Sequence, residues 1–248
     1  MKLTIVGCAG SYPNAAGPAS SYLVEHEGYT IVMDLGNGAL GPLHTHIDPL
    51  AVDAVLLSHL HADHFLDMCS YYVLRRYHPA GIPPRIPVYG PPDSNYRMAT
   101  AYGMSPEPGM VDVFDVRSYP DGEFTLGPFT VQVARVYHPV TAYALRLTAG
   151  GKVLTFSGDS APCEALVGIA RDADIALFEA SYREGDDNPQ GLHMTPRESA
   201  GLAAAAGARR LLLTHMVTWH DNSEALASAQ AEFGDAVDLA TPGMVVSV

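Results

Sequence analysis

The sequence predicts an α/β fold in which two sheets pack together with helices on their outer faces. Apolar runs of strand length alternate with stretches of helical periodicity, and the alternation recurs in two similar halves. No linker long enough to separate independent units interrupts it, so residues 1–248 are expected to form a single domain.

The elements follow in order. Residues 3–6 form a strand, followed by a Gly, Pro, Ser and Ala-rich loop over 7–20 whose start is expected to be a tight turn. Runs at 21–25 and 30–34 flank His26-Glu27-Gly28-Tyr29 and read as a hairpin closed by a glycine turn, with Asp34 at its end. A short helix over 40–46 leads to 52–57, a nearly continuous apolar run typical of a strand buried on both faces. Helical spacing over 65–77 then predicts one helix, with Tyr71, Tyr72, Leu74 and Tyr77 in the core or at a subunit contact. Prolines punctuate the approach to a strand at 86–89.

In the second half a helix is expected at 95–102, and strands at 111–116, 129–137, 142–147 and 153–157. Residues 162–171 read as a helix and 175–178 as a strand. Thr195 is a suitable N-cap for an alanine-rich helix over 196–206. A buried strand at 211–214, a helix at 224–233 and an edge strand at 245–248 complete the chain.

Composition limits what this fold can do. A hydrophobic share of 48% with 17% charged residues is that of an ordinary globular protein. The N-terminal apolar run breaks at Gly7, too short for a secretory signal, and no membrane span is visible, so a cytoplasmic location is expected. Cys8, Cys69 and Cys163 are odd in number, far apart and without CxxC spacing, which predicts free thiols. Fourteen Lys and Arg against 27 Asp and Glu give a net charge of −13, with the basic residues scattered. Long nucleic acid is therefore an unexpected partner, since phosphate neutralisation dominates such binding.

The chemistry is concentrated in Ser58-His59-Leu60-His61-Ala62-Asp63-His64-Phe65, where three histidines and a carboxylate follow a buried strand. Imidazole and carboxylate are ligands suited to zinc, manganese and iron. A single HxH pair such as His44-Thr45-His46 arises by chance, whereas HxHxDH is far more specific. His138, Asp159 and His215 each sit just past a predicted strand and are candidates for the rest of a two-metal site. His26, His44, His46, His78 and His220 are expected at the surface.

These residues resemble the metallo-β-lactamase-fold hydrolases over essentially the whole chain. The resemblance implies a four-layer αβ/βα sandwich with metals at the seam between the sheets. It implies that His59, His61 and His138 hold one divalent ion, that Asp63, His64 and His215 hold a second, and that Asp159 bridges them. Zinc is the expected metal, with manganese or iron as alternatives, and Asp34 would orient the ligand turn. Within the family, His193-Met194-Thr195 is similar to the tRNA 3′-processing endonucleases, where the matching histidine is catalytic. Asp34-Leu35-Gly36-Asn37-Gly38 and Tyr137-His138-Pro139-Val140 with Ala142-Tyr143 are similar to an atypical class of bacterial cyclic-nucleotide phosphodiesterases.

The tRNA-processing enzymes carry a long basic arm between the His138 and Asp159 positions, yet only 20 residues separate them here. A small phosphodiester such as a 3′,5′-cyclic nucleotide is therefore the expected substrate. Two ions ~3.5–4 Å apart can hold a bridging water whose pKa falls from ~16 towards ~7, giving a hydroxide nucleophile. Asp63 would steer that hydroxide, and His193 would donate a proton to the leaving alkoxide. An RNA endonuclease and a non-catalytic metal-binding or scaffold protein on the same fold are the alternatives. A β-lactamase or thioester hydrolase is compatible with the fold alone. A homodimer is implied by the resemblance.

Overall fold

A computed structural model describes residues 1–219 and 221–248. In the first half, strands β1 (Lys2–Gly7), β2 (Ser21–His26), β3 (Tyr29–Leu35), β4 (Ala54–Leu56), β5 (Ile86–Gly90) and β6 (Phe114–Ser118) are interleaved with helices α1 (Leu40–Leu43), α2 (Ala62–Phe65), α3 (Met68–Arg76) and α4 (Ser94–Tyr102). The second half carries β7 (Glu123–Leu126), β8 (Phe129–Arg135), β9 (Tyr143–Ala149), β10 (Lys152–Phe156), α5 (Glu164–Ile169), β11 (Ile175–Glu179), α6 (Pro196–Ala205), β12 (Leu211–Thr214), α7 (Asn222–Phe233), β13 (Val237–Leu239) and β14 (Val245–Ser247).

Among the described residues these strands form two seven-stranded sheets, ordered β14-β1-β2-β3-β4-β5-β6 and β13-β12-β11-β10-β9-β8-β7. Each sheet is antiparallel at one end and parallel at the other: β3 to β6 run parallel in the first, and β10 to β13 in the second. The two halves are thus built alike.

Alternation along the strands explains the layers. Tyr22, Val24, Ile31 and Met33 point between the sheets, where they meet Leu145, Leu147, Leu154, Phe156 and Leu177. Leu23 and Val32, on the opposite face, pack with Leu43, Phe65, Met68 and Tyr71 from the helices outside the first sheet. Phe178 and Leu213 do the same with Ala200, Ala203 and Leu166 outside the second. A period of two on strands buried on both faces makes continuous apolar runs, as β4, β11 and β12 show. The architecture is the expected four-layer sandwich.

Several boundaries differ from the sequence expectation. The helix predicted over 65–77 is broken, because Asp67 accepts a hydrogen bond from the Leu40 amide at 2.8 Å and its own amide donates to the Leu35 carbonyl. Tyr71 and Tyr72 are core residues as expected, but Tyr77 is 63% exposed at the helix end. The strand expected at 111–116 begins only at Phe114, and β7 and β13 were not anticipated. His44 and His46 are exposed, whereas His26 is partly buried with its ring 6.1 Å from that of Phe129. His220 lies outside the described residues. The three cysteines are free thiols.

Candidate metal centre

The parallel strands end on the same edge of the sandwich, and the polar residues that terminate them converge there. Asp34 closes β3, the histidine-rich turn leaves β4, Asp159 follows β10, Glu179 ends β11 and His215 follows β12. Open α/β sheets place ligands at the carboxyl ends of their parallel strands for this geometric reason.

Two groups of donor atoms form, and Asp159 belongs to both. His59, His61, His138 and Asp159 make the first, and Asp63, His64, His215 and Asp159 the second, with the donor atoms of each group within 4.8 Å of one another. In the first, His61 Nδ1 lies 3.1 Å from His59 Nε2 and 3.2 Å from His138 Nε2. In the second, His215 Nε2 lies 3.1 Å from His64 Nε2 and 3.0 Å from Asp63 Oδ2. His64 Nε2 is also 3.2 Å from Asp159 Oδ1. Every metal ligand expected from the sequence is thus brought to one place.

The donor set fits divalent cations. With metal–nitrogen bonds of ~2.0–2.1 Å, tetrahedral ligands stand ~3.3 Å apart, close to the spacings seen here. Asp159 Oδ1 is buried with no hydrogen-bond partner, an arrangement that is costly unless a cation satisfies it. Burial pushes the Asp159 carboxyl up, but the surrounding His215, His64 and His59 hold it well below the usual carboxylate range. The surroundings thus favour its anionic form, the form that a cation binds.

Neighbouring groups fix how His64, His215 and His138 present their nitrogens. Asp34, fully buried, accepts from the Ser58 amide and hydroxyl and from His64 Nδ1, all at 2.7 Å. That leaves His64 Nε2 to face the donor cluster. Asp34 itself has φ +55°, a left-handed conformation that turns its side chain back under the histidine turn. Ser181 Oγ lies 2.7 Å from His215 Nδ1, and the Leu192 carbonyl accepts from His138 Nδ1 at 2.9 Å. The Gly7-to-Ser11 segment runs close against His215: a Cβ at Gly10 would stand 2.3 Å from the His215 carbonyl oxygen, and the Ser11 amide lies 3.4 Å from His215 Nε2.

His193 lies beside both groups, and its partner was missed in the sequence. Glu179 Oε1 accepts from His193 Nδ1 at 2.9 Å. This carboxylate is fully buried and also takes the amides of Ser160, Ser181 and Met194. Burial alone would lower the His193 pKa; the adjacent Glu179 and then Asp159 outweigh it and raise it to about 9. The available signal was a carboxylate ending an otherwise apolar strand, Ile175–Glu179. His193 also falls in a third donor group with Glu179 and His215.

A pair of facing mixed sheets with a buried His and Asp cluster at their common edge defines a metallo-hydrolase. The chain belongs to the β-lactamase superfamily: the family model described as "Beta-lactamase superfamily domain" matches residues 29–216. An uncharacterized protein of Mycobacterium leprae is 41% identical over 250 residues, covering 98% of this chain and 87% of the relative. The probable metallo-hydrolase YhfI of Bacillus subtilis is 30% identical over 256 residues, 99% of each chain. Its crystal structure superposes with a TM-score of 0.87, covering 99% of this chain and 98% of that one. Ribonuclease Z of Myxococcus xanthus is 27% identical over 303 residues, covering 100% of this chain and 98% of the relative. No helix of the described residues is long and apolar enough to cross a membrane.

Proposed function

We propose that this chain is a dinuclear metal-dependent phosphodiesterase acting on a small phosphodiester such as a 3′,5′-cyclic nucleotide. In this reading His59, His61 and His138 hold one ion, Asp63, His64 and His215 the other, and Asp159 lies between them. Zinc suits this set of donors, and manganese or iron share the preference. When bound, such ions polarise a phosphoryl oxygen and lower the pKa of a water towards neutrality.

The observation that carries the proposal is the Glu179–His193 pair at the edge of the donor cluster. With Nδ1 held by Glu179, His193 has Nε2 left to deliver a proton. Glu179 beside Nδ1 favours the protonated imidazole, the form that a leaving alkoxide requires. Cations at Asp159 would withdraw that part of the support and oppose the imidazolium, which leaves Glu179 as the group that sustains it. As the bond from water oxygen to phosphorus forms and the bond to the leaving oxygen breaks, His193 would protonate that oxygen, a contribution of ~10²–10⁴ in rate. Asp63 would orient the attacking water. Burial pushes its carboxyl up, but His64 and His215 pull it well below the usual range, so it stays ionised.

Three features favour a small substrate. The hairpin between His138 and Asp159 turns tightly at Gly150 and Gly151, so no segment projects there. The net charge is −13. The cleft beside His193 is lined by Asp186, Asp187 and Glu198, which oppose a polyanion. The full-length similarity to a ribonuclease Z supports the second reading, an RNA endonuclease.

Turnover of cyclic AMP, bis(p-nitrophenyl) phosphate and precursor tRNA by metal-loaded protein separates these readings. Hydrolysis of the first two is expected. Cleavage of precursor tRNA alone would favour the endonuclease. No bound metal by elemental analysis, with stability unchanged by chelator, would indicate a non-catalytic scaffold.

A further inference from the structure

The cleft beside His193 has a volume of about 380 Å³, and small-molecule sites span ~300–1,000 Å³. Its position gives it a task. If His193 protonates the leaving oxygen of a cyclic nucleotide, that oxygen stays on the ribose, so the nucleoside must extend away from His193 into adjoining space. This step rests on the phosphodiesterase reading.

Two aromatic rings border that space. Tyr137, immediately before His138, is 60% exposed. Its hydroxyl lies over Gly191, where a Cβ would stand 3.0 Å from it and where φ is +77°. A side chain at residue 191 would crowd this ring. Tyr182 stands edge-on to His193, with ring centroids 5.3 Å apart and planes at 90°. Its hydroxyl donates to the Pro189 carbonyl at 2.9 Å, which pins the loop forming the cleft mouth. Every nucleobase has a π face that such rings can accept.

The polar lining is one-sided. Asp186 and Asp187 border the cleft, and no Lys or Arg is among its lining residues. Among the described residues, neither carboxylate makes an ion pair or side-chain hydrogen bond. Ionised carboxylates only accept hydrogen bonds, so their complement on a base is an exocyclic amino group.

We propose that this cleft is a nucleobase subsite, walled by Tyr137 and Tyr182, that takes a base carrying an exocyclic amino group through Asp186 and Asp187. The test compares three substrates of the metal-loaded full chain: cyclic AMP, its analogue with hydrogen in place of the 6-amino group, and bis(p-nitrophenyl) phosphate. Removing the amino group should lower kcat/KM about tenfold in the wild type, the usual scale for a lost base-edge contact. In the Asp186→Ala, Asp187→Ala double variant the two cyclic nucleotides should become nearly equivalent. Both substitutions fall on an exposed loop, so folding is expected to be retained. The same order is expected for dissociation constants of AMP and its 6-deamino counterpart, which need no turnover.

Equal kcat/KM for the two cyclic nucleotides, with bis(p-nitrophenyl) phosphate hydrolysed, would overturn the subsite and leave the phosphodiesterase reading standing. A double variant that keeps the full preference would overturn the role of these carboxylates. Failure to hydrolyse any of the three would overturn the functional reading and the subsite with it.

Discussion

Glu179 Oε1 and His193 Nδ1 lie 2.9 Å apart, and the same carboxylate gathers the amides of Ser160, Ser181 and Met194. One buried group therefore orients the proposed proton donor and three backbone amides around it. Replacing Glu179 by Gln removes the charge that raises His193, so its pKa should fall from about 9 towards or below 6.5. The proposed mechanism needs the protonated form, so wild-type kcat should decline as pH rises through the His193 pKa, and in Glu179→Gln the decline should begin at lower pH. Superimposable kcat–pH profiles at equal metal content would remove His193 from the role of acid.

His193→Ala should retain bound metal and lose turnover by ~10²–10⁴. Elemental analysis and kcat, taken on one preparation, separate the two effects. Loss of metal would make His193 a ligand, as its place in the third donor group allows.

Asp159→Ala should lower metal content, because Asp159 is common to both principal donor groups. Full occupancy in this variant would show that the shared carboxylate is dispensable. Its fold should survive, since Asp159 follows β10 instead of contributing to the sheet ladder.

Asp34→Asn keeps a residue type that tolerates the left-handed backbone at φ +55°. It removes the charge that accepts from His64 Nδ1 and Ser58. Metal affinity should fall ~10–100-fold, the usual effect of losing a partner behind a ligand, as read by competition with a chelator.

Between the sheets, Phe156 is 1% exposed and its ring centroid lies 4.9 Å from that of Tyr22. Phe156→Ala should cost ~3–5 kcal/mol in denaturant unfolding, through lost transfer energy and an unfilled cavity. A cost below about 1 kcal/mol would mean that neighbouring side chains collapse into the space far more than is usual in such cores.

What the sequence could and could not reveal follows from the range of the forces involved. The residues of the donor groups were legible because they sit in order at the ends of apolar runs, and a run such as 175–179 or 211–214 is a local signal. The break between α2 and α3 was not, since it depends on Asp67 bonding to Leu40, 27 positions away. Strand β13 has three residues and β7 four, too short for periodicity to register; each is fixed by pairing with a neighbour. Glu179 escaped notice because a lone carboxylate gains meaning only when His193 is folded against it.

If His138 holds a metal and His193 is the acid, the hydrogen bond from His138 Nδ1 to the Leu192 carbonyl would make loading and catalysis interdependent. Leu192 is bonded directly to His193, so a shift of His138 would be passed along one peptide unit to the proposed proton donor. An ion that holds His138 in the wrong place would also misdirect the acid. On that reading the centre would check its own assembly, and an ill-fitting metal would be penalised at the leaving group as well as at the nucleophile.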